Sequence, residues 1–351
     1  VPGEHMKEQR FFVGIYTREK ERRGIYTLAL DSVTGALRIL SSAGGSPNPS
    51  FLITRGDLLF AASEGPDHGA IASYRIAGDG GLSLIDRFET GGSGTCHLTL
   101  SPDGRYVYAA NYSSGSLFGV EVDPEGRFGR QTAFIQHQGS GPFPGRQEGP
   151  HAHFVSFLPD GQHLLCCDLG IDRVLAYRYH PADGSLTPDE ALDIALPAGE
   201  GPRHFACAPD GRHLYIAGEL SSNVVHYTWG QAAEPVEVTC ALPADFEGAN
   251  WPAHIQLSRD GRFLYLSNRG HDSIAVFPVD QQSGRLGEAA WYPCGGQWPR
   301  HFSLSPDGRY LVVANQNSND VIAWRLDEEN GGLAEQTGGV DVPAAVGVCF
   351  G

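Results

Sequence analysis

Short runs of β-branched, aromatic and aliphatic residues alternate with polar turn signals along almost the whole chain, and one arrangement returns five times. It is a hydrophobic run, a Pro-Asp-Gly or Arg-Asp-Gly turn, and a second run closing on or near Asn. The copies are HLTLSPDGRYVYAAN from His97, FVSFLPDGQHLLCCD from Phe154, HFACAPDGRHLYIAG from His204, HIQLSRDGRFLYLSN from His254 and HFSLSPDGRYLVVAN from His301. Their turns begin at Asp103, Asp160, Asp210, Asp260 and Asp307, with spacings of 57, 50, 50 and 47. Two strand-like runs joined by such a turn predict a β-hairpin: Pro presets φ, Asp bonds local backbone and Gly takes the positive φ. A third strand follows each polar turn, as in SLFGVEVD from Ser116, RVLAYRY from Arg173 and VIAWRLD from Val321, and a fourth follows another Gly turn. Four antiparallel strands repeating at this interval predict the blades of a β-propeller.

Two degenerate copies complete the count. FLITRGDLLFAAS from Phe51 fits the hairpin, with AIASYRI from Ala70 beyond it. GIYTLALDSVTGALRIL from Gly24 supplies two outer strands and FFVGIYT from Phe11 one more. AAVGVCFG from Ala344 has no partner of its own and supplies the missing strand. The expected fold is all-β: a seven-bladed β-propeller of four-stranded antiparallel blades, its ring closed by the C-terminal strand, which leaves no long free edge.

The repeat fills the 351 residues, so one domain over 10–351 is expected rather than two. VPGEHM reads as a vector-derived remnant, because Met6 is the only methionine, and residues 1–9 as a flexible N-terminus. No apolar run reaches the roughly 18 residues of a membrane span, and the N-terminus lacks a signal-peptide core. Seven cysteines in no metal spacing, the Cys166-Cys167 pair among them, read as reduced thiols of a cytoplasmic protein. The net charge of −16, with 23 Arg against Lys7 and Lys20 alone, opposes nucleic acid or anionic membrane as partner. An anionic ligand would therefore need a local cluster of Arg.

The repeats disagree at two columns. The residue before each copy is Cys96, His153, Arg203, Ala253 or Arg300; the residue after it is Tyr112, Leu169, Glu219, Arg269 or Gln316. The first two strands of a blade run beside the central channel, so both columns share one rim. The agreed columns read as scaffold: His97, His204, His254 and His301 hydrogen-bonding within or between blades, and Asn111, Asn268 and Asn315 satisfying turn backbone. Solvated rim charges would explain His153, Arg203, Glu219 and Arg300 equally well, with an Arg203–Glu219 pair worth ~0–1 kcal/mol. The insertion GSGPFPGRQEGPHAH, in the longest interval, shifts the balance toward a binding loop carrying Arg146, Gln147, His151 and His153. His151 and His153 are two apart and would point the same way in extended chain, but His-x-His without further ligands is weak evidence for metal.

With NYSSGS from Asn111, RQEGPHAH from Arg146, GPRH from Gly201 and PRHF from Pro299, the chain resembles the seven-bladed propeller lactonases. That family spans propeller-type 6-phosphogluconolactonases and carboxymuconate lactonizing enzymes. The resemblance covers essentially the whole chain and implies a site of one His, two Arg and one Glu: His153, Arg203, Arg300 and Glu219, with His151 the rival histidine. Where the family commonly has Asn-Glu-Leu, this chain has Gly218-Glu219-Leu220. The implied activity is hydrolysis of 6-phospho-D-glucono-1,5-lactone, a small anionic substrate, with no metal or organic cofactor. Glu219 or His153 would be the base and the other the acid, Arg203 would hold the carbonyl oxygen, and Arg300 and Arg146 the phosphate. Gln147 and His151 would complete the binding loop. Muconate lactonization and a non-catalytic binding propeller are the alternatives.

Overall fold

The computed structural model describes residues 8–17, 23–230 and 234–351, and the segment VPGEHM lies outside them. Seven antiparallel sheets follow one another along the chain. Blade 1 is built from Ala345–Phe350, Glu8–Ile15, Ile25–Asp31 and Leu37–Ala43, so the last strand lies innermost and pairs with the first. The inner pairs of the others are Pro49–Arg55 with Leu58–Glu64, Thr95–Leu100 with Tyr106–Asn111, Ala152–Phe157 with His163–Asp168, Pro202–Cys207 with His213–Gly218, Trp251–Leu257 with Phe263–Arg269, and Pro299–Leu304 with Tyr310–Asn315. Two details differ from expectation. The first strand starts at Glu8, inside the stretch read as flexible. Blade 4 has a fifth short strand, Ile194–Ala195, because its outer strand stops at Pro188 and a 3-10 turn intervenes.

The turn chemistry holds at each copy. Gly104, Gly161, Gly211, Gly261 and Gly308 all take φ between 64° and 72°, and Asp103 accepts from the Ser101 hydroxyl at 2.7 Å and the Arg105 amide at 3.2 Å. Between blades the cores are apolar, as with Phe60, Leu98, Ala109 and Phe118 of blades 2 and 3. A repeated tyrosine latches neighbours: the buried hydroxyls of Tyr108, Tyr215 and Tyr265 donate to the carbonyls of Gly184, Gly284 and Gly331 in the next blade, at 2.6–2.9 Å. The asparagine column departs from expectation. Asn268 donates to the Ala241 carbonyl, but Asn111 binds the Thr90, Thr95 and Ser116 hydroxyls and Asn315 the Asp320 carboxylate.

One irregularity positions the site. In blades 2 to 7 the innermost strand shifts register just inside its start, passing over Ser50, Cys96, His153, Arg203 with His204, Ala253 with His254, and Arg300. These are β-bulges, and a bulge re-aims a side chain that strict alternation would point elsewhere. Two consecutive residues thus face the channel: Arg203 Nη1 lies 3.2 Å from His204 Nε2. The second residue of each pair builds a belt of rings. Centroid separations run 3.8 Å from Phe51 to His97, 4.2 Å to Phe154, 4.7 Å to His204, 5.3 Å to His254, 3.9 Å to His301 and 5.5 Å back to Phe51. The belt histidines bond between blades, as expected: His97 Nδ1 accepts from the Val155 amide, His301 Nδ1 from the Val348 amide, and His204 meets His254 at 3.0 Å. Phe51, His204 and His301 of this belt line a small cavity next to the rim.

Candidate active site

Above the belt two connected features open toward one mouth. A rim pocket of about 360 Å3 is lined by Tyr112, Arg146, Glu219, Trp251, Arg269 and Trp298, with Glu64, His153 and Arg300. Beneath it a cavity of about 10 Å3 is walled by Cys96, Arg203, His204 and His301, and again by Glu64, His153 and Arg300. That is about the size of one water, and its walls are polar enough to hold one.

Glu219, 5% exposed, is gripped by three guanidiniums: Arg146 Nη2 at 2.5 Å, Arg203 Nε at 2.7 Å and Arg269 Nη2 at 2.9 Å. Burial alone would raise its carboxyl, but Arg269 and Arg203 hold it well below the usual carboxylate range. Three cations on one anion leave an excess of positive charge at the mouth of an acidic protein, the local cluster an anionic ligand requires. The expectation that Glu219 serves as base meets a physical obstacle: a carboxylate so paired has little tendency to take a proton. Arg203 is also set deeper than expected. It is 2% exposed, donates to the Ala253 carbonyl at 2.7 Å and faces the small cavity rather than the rim pocket. Burial and the nearby Arg269 push it down to about 9, still a cation at neutral pH.

Arg300 differs. Its Nη2 donates to the Tyr16 hydroxyl at 2.7 Å, and its guanidinium stands 5.1 Å from the centre of that ring. Among the described residues no carboxylate pairs with it. His153 lines both cavities; burial and then Arg203 push it well below its ordinary value, so it is a neutral imidazole.

The other two binding-loop residues are elsewhere. His151 stacks on Tyr112 at 4.5 Å, and its Nδ1 meets the Tyr112 carbonyl at 2.9 Å, behind the pocket wall. The bulge between Ala152 and Phe154 breaks the alternation that would have kept it beside His153. Gln147 is fully buried: its amide nitrogen donates to the Leu169 carbonyl and the Asp172 carboxylate, both at 2.8 Å, and its oxygen accepts from the Phe143 amide at 3.0 Å. It pins the loop so that its neighbour Arg146 reaches Glu219. Gln147→Ala is therefore expected to cost about 1–3 kcal/mol through unpaired buried groups, and to raise KM for an anionic substrate; urea melts and steady-state kinetics check both.

Several lining residues escaped the sequence reading although signals were present. Arg269 and Tyr112 stand in the divergent column itself. Trp251 and Trp298 each open a Trp-Pro-x-His string, and their rings lie 5.4 Å apart. Trp298 has φ of 66°, unusual for so bulky a residue, and its amide donates to Asp272 Oδ1 at 2.8 Å. Glu64 directly follows the degenerate copy from Phe51 and so occupies the same column as Glu219.

The family model for "Lactonase, 7-bladed beta-propeller" matches residues 10–350. The 6-phosphogluconolactonase of Bacillus subtilis is 33% identical over 281 residues, 78% of this chain and 79% of that protein. Two further curated relatives are matched over 55% and 57% of their own length. Among solved structures, a candidate 6-phosphogluconolactonase of Bacteroides fragilis superposes with a TM-score of 0.92 at 29% identity, over all of both chains. The periplasmic gluconolactonase of Pseudomonas aeruginosa does so with 0.91 at 33% identity, over 98% of this chain and 99% of that one.

Proposed function

This chain belongs to the family of seven-bladed β-propeller lactonases, whose members and 6-phosphogluconolactonase relatives support a lactone-hydrolysing enzyme, and we propose that it hydrolyses 6-phospho-D-glucono-1,5-lactone to 6-phosphogluconate at the rim pocket. The observation that carries the reading is the cluster of Arg146, Arg203 and Arg269 on the carboxylate of Glu219, with Arg300 and Glu64 lining the same pocket and a water-sized cavity below.

Hydrolysis needs a water aimed at C1, a cation where the carbonyl oxygen becomes an oxyanion, and a proton for the departing ring oxygen. Arg300 faces both cavities and among the described residues pairs with no carboxylate, so it takes the oxyanion. Arg203, buried beneath, acts from below through its charge. Arg146 and Arg269, at the mouth, offer donors to the phosphate, whose oxygens suit the guanidinium fork. The neutral His153 imidazole accepts a hydrogen bond from the attacking water and aims it. Burial beside Arg203 makes it a poor resting place for the proton itself. Unpaired thiols among the described residues suit a reducing compartment and support a cytoplasmic setting.

The test is acid release from freshly generated 6-phosphogluconolactone, in EDTA, against the spontaneous rate. Wild-type acceleration should survive EDTA, and Arg300→Ala should lose about 100- to 1000-fold in kcat, the usual cost of one oxyanion donor. Equal rates for the two proteins would defeat the assignment.

A further inference from the structure

Hydrolysis at this rim lacks a proton carrier once Glu219 is locked by its three guanidiniums and His153 is occupied in aiming the water. We propose that Glu64 is the general base of the reaction, carrying the water's proton to the ring oxygen, with Tyr16 as the residue that positions its carboxylate. The inference rests on the lactonase reading above.

Glu64 ends the second strand of blade 2, as Glu219 directly follows that of blade 5, so the two carboxylates enter the rim from different blades of the ring. Among the described residues only three, Glu64, His153 and Arg300, line both the rim pocket and the water-sized cavity beneath it. A water in the small cavity and a lactone in the large one would meet at their boundary. The environments of the two carboxylates are opposite. Glu64 Oε2 accepts one hydrogen bond, from the Tyr16 hydroxyl at 2.8 Å, and no cation among the described residues forms an ion pair with it. Tyr16 is fixed in turn by Arg300, 2.7 Å from its oxygen, and burial pushes its hydroxyl well above the ordinary value, so it remains a donor. The chain Arg300–Tyr16–Glu64 thus couples the oxyanion cation to the base. Among the described residues, the titratable and charged groups that contact Glu64 or share its two cavities are Tyr16 from blade 1, Cys96 and Tyr112 from blade 3, Arg146 from the binding loop, His153 from blade 4, Arg203, His204 and Glu219 from blade 5, Arg269 from blade 6, and Arg300 and His301 from blade 7. Burial keeps the Cys96 thiol protonated.

The step balances within these groups. Glu64 takes a proton from water as the water oxygen bonds to C1, and the carbonyl electron pair moves onto the oxygen held by Arg300. When the intermediate collapses, the C1–O5 bond breaks and its electron pair leaves on O5. The proton returns from the Glu64 carboxylic acid to O5, giving the open-chain acid.

The experiment compares wild type, Glu64→Gln, Tyr16→Phe and Arg300→Ala for 6-phosphogluconolactone hydrolysis across pH, with a thermal melt of each. Glu64→Gln should lose about 100-fold or more in kcat, the scale of general-base catalysis, with KM little changed and the acid limb of the pH profile gone. Tyr16→Phe should lose less and displace that limb. If Glu64→Gln melts far below wild type, Glu64→Asp replaces it: the shortened carboxylate should lose kcat while keeping an acid limb, and wild-type kcat in that variant overturns the proposal. Wild-type kcat and pH profile in Glu64→Gln, with Arg300→Ala inactive, would overturn Glu64 as base while the lactonase reading stands. A wild-type enzyme no faster than the spontaneous reaction would overturn both.

Discussion

Glu219→Gln is expected to lower folding stability by about 3–5 kcal/mol and to abolish most lactone turnover, although it changes one oxygen to one nitrogen. The magnitude follows from what the carboxylate neutralises. Arg203 and Arg269 are 2% and 5% exposed, and Arg146 closes over the same group. Removing one partner of a buried ion pair leaves the other charges desolvated and uncompensated, which costs about 3–5 kcal/mol, far more than the intact pair contributes. The amide would also turn its donors toward guanidinium donors. Urea melts give the stability and lactone assays the activity. Because the groups touch, the double variant Glu219→Gln with Arg203→Met should lose less stability than the sum of the single changes. A Glu219→Gln protein that melts with wild type would mean that water screens the cluster.

Acid should unfold this protein in two stages, the first beginning near pH 6.5. His97, His153, His204, His254 and His301 are all lowered from their ordinary value, first by burial and then by neighbouring cations or histidines, His301 to about 3. A histidine lowered in the folded state stays neutral there while the unfolded chain binds a proton below about pH 6.5. Its contribution is whole above that pH and is lost as pH falls. Each costs about 1.4 kcal/mol by pH 5.5, so the five together cost roughly 7 kcal/mol. That is comparable with the whole stability of many domains. Glu219 adds a second stage: its lowered carboxyl contributes stability above the unfolded carboxylate range, lost as pH falls below about 4.5. Urea midpoints at pH 8, 6.5 and 5.5 test the first stage; an unchanged midpoint would show that the belt takes up protons without unfolding.

The fold was legible because its determinants are local. A Pro-Asp-Gly turn between two hydrophobic runs specifies a hairpin within about fifteen residues, and repetition multiplies the signal. His153, Arg203, Glu219 and Arg300 were legible for a related reason. A position that departs from its copies carries no shared packing duty; His153, Glu219 and Arg300 line the rim pocket, and Arg203 lines the small cavity beneath it.

What the sequence determined by itself is therefore the number of blades, the closure by Ala345–Phe350 and four of the residues around the two cavities, His153, Arg203, Glu219 and Arg300. What only the tertiary structure decided is the state of each rim group. Bulges of one or two residues re-aim Arg203 and turn His151 behind Tyr112, and no alternation rule predicts where a bulge falls. Gln147 carries the same polar label as a surface residue, yet its partners Leu169 and Asp172 belong to blade 4. The division between Glu219 and Glu64 lies furthest from the sequence. Both stand at the ends of equivalent strands, but among the described residues one meets three guanidiniums from the binding loop, blade 5 and blade 6, and the other meets one phenol from blade 1. Charge compensation depends on which residues the closed ring brings within a few ångströms, and those lie between about 16 and 73 residues away along the chain.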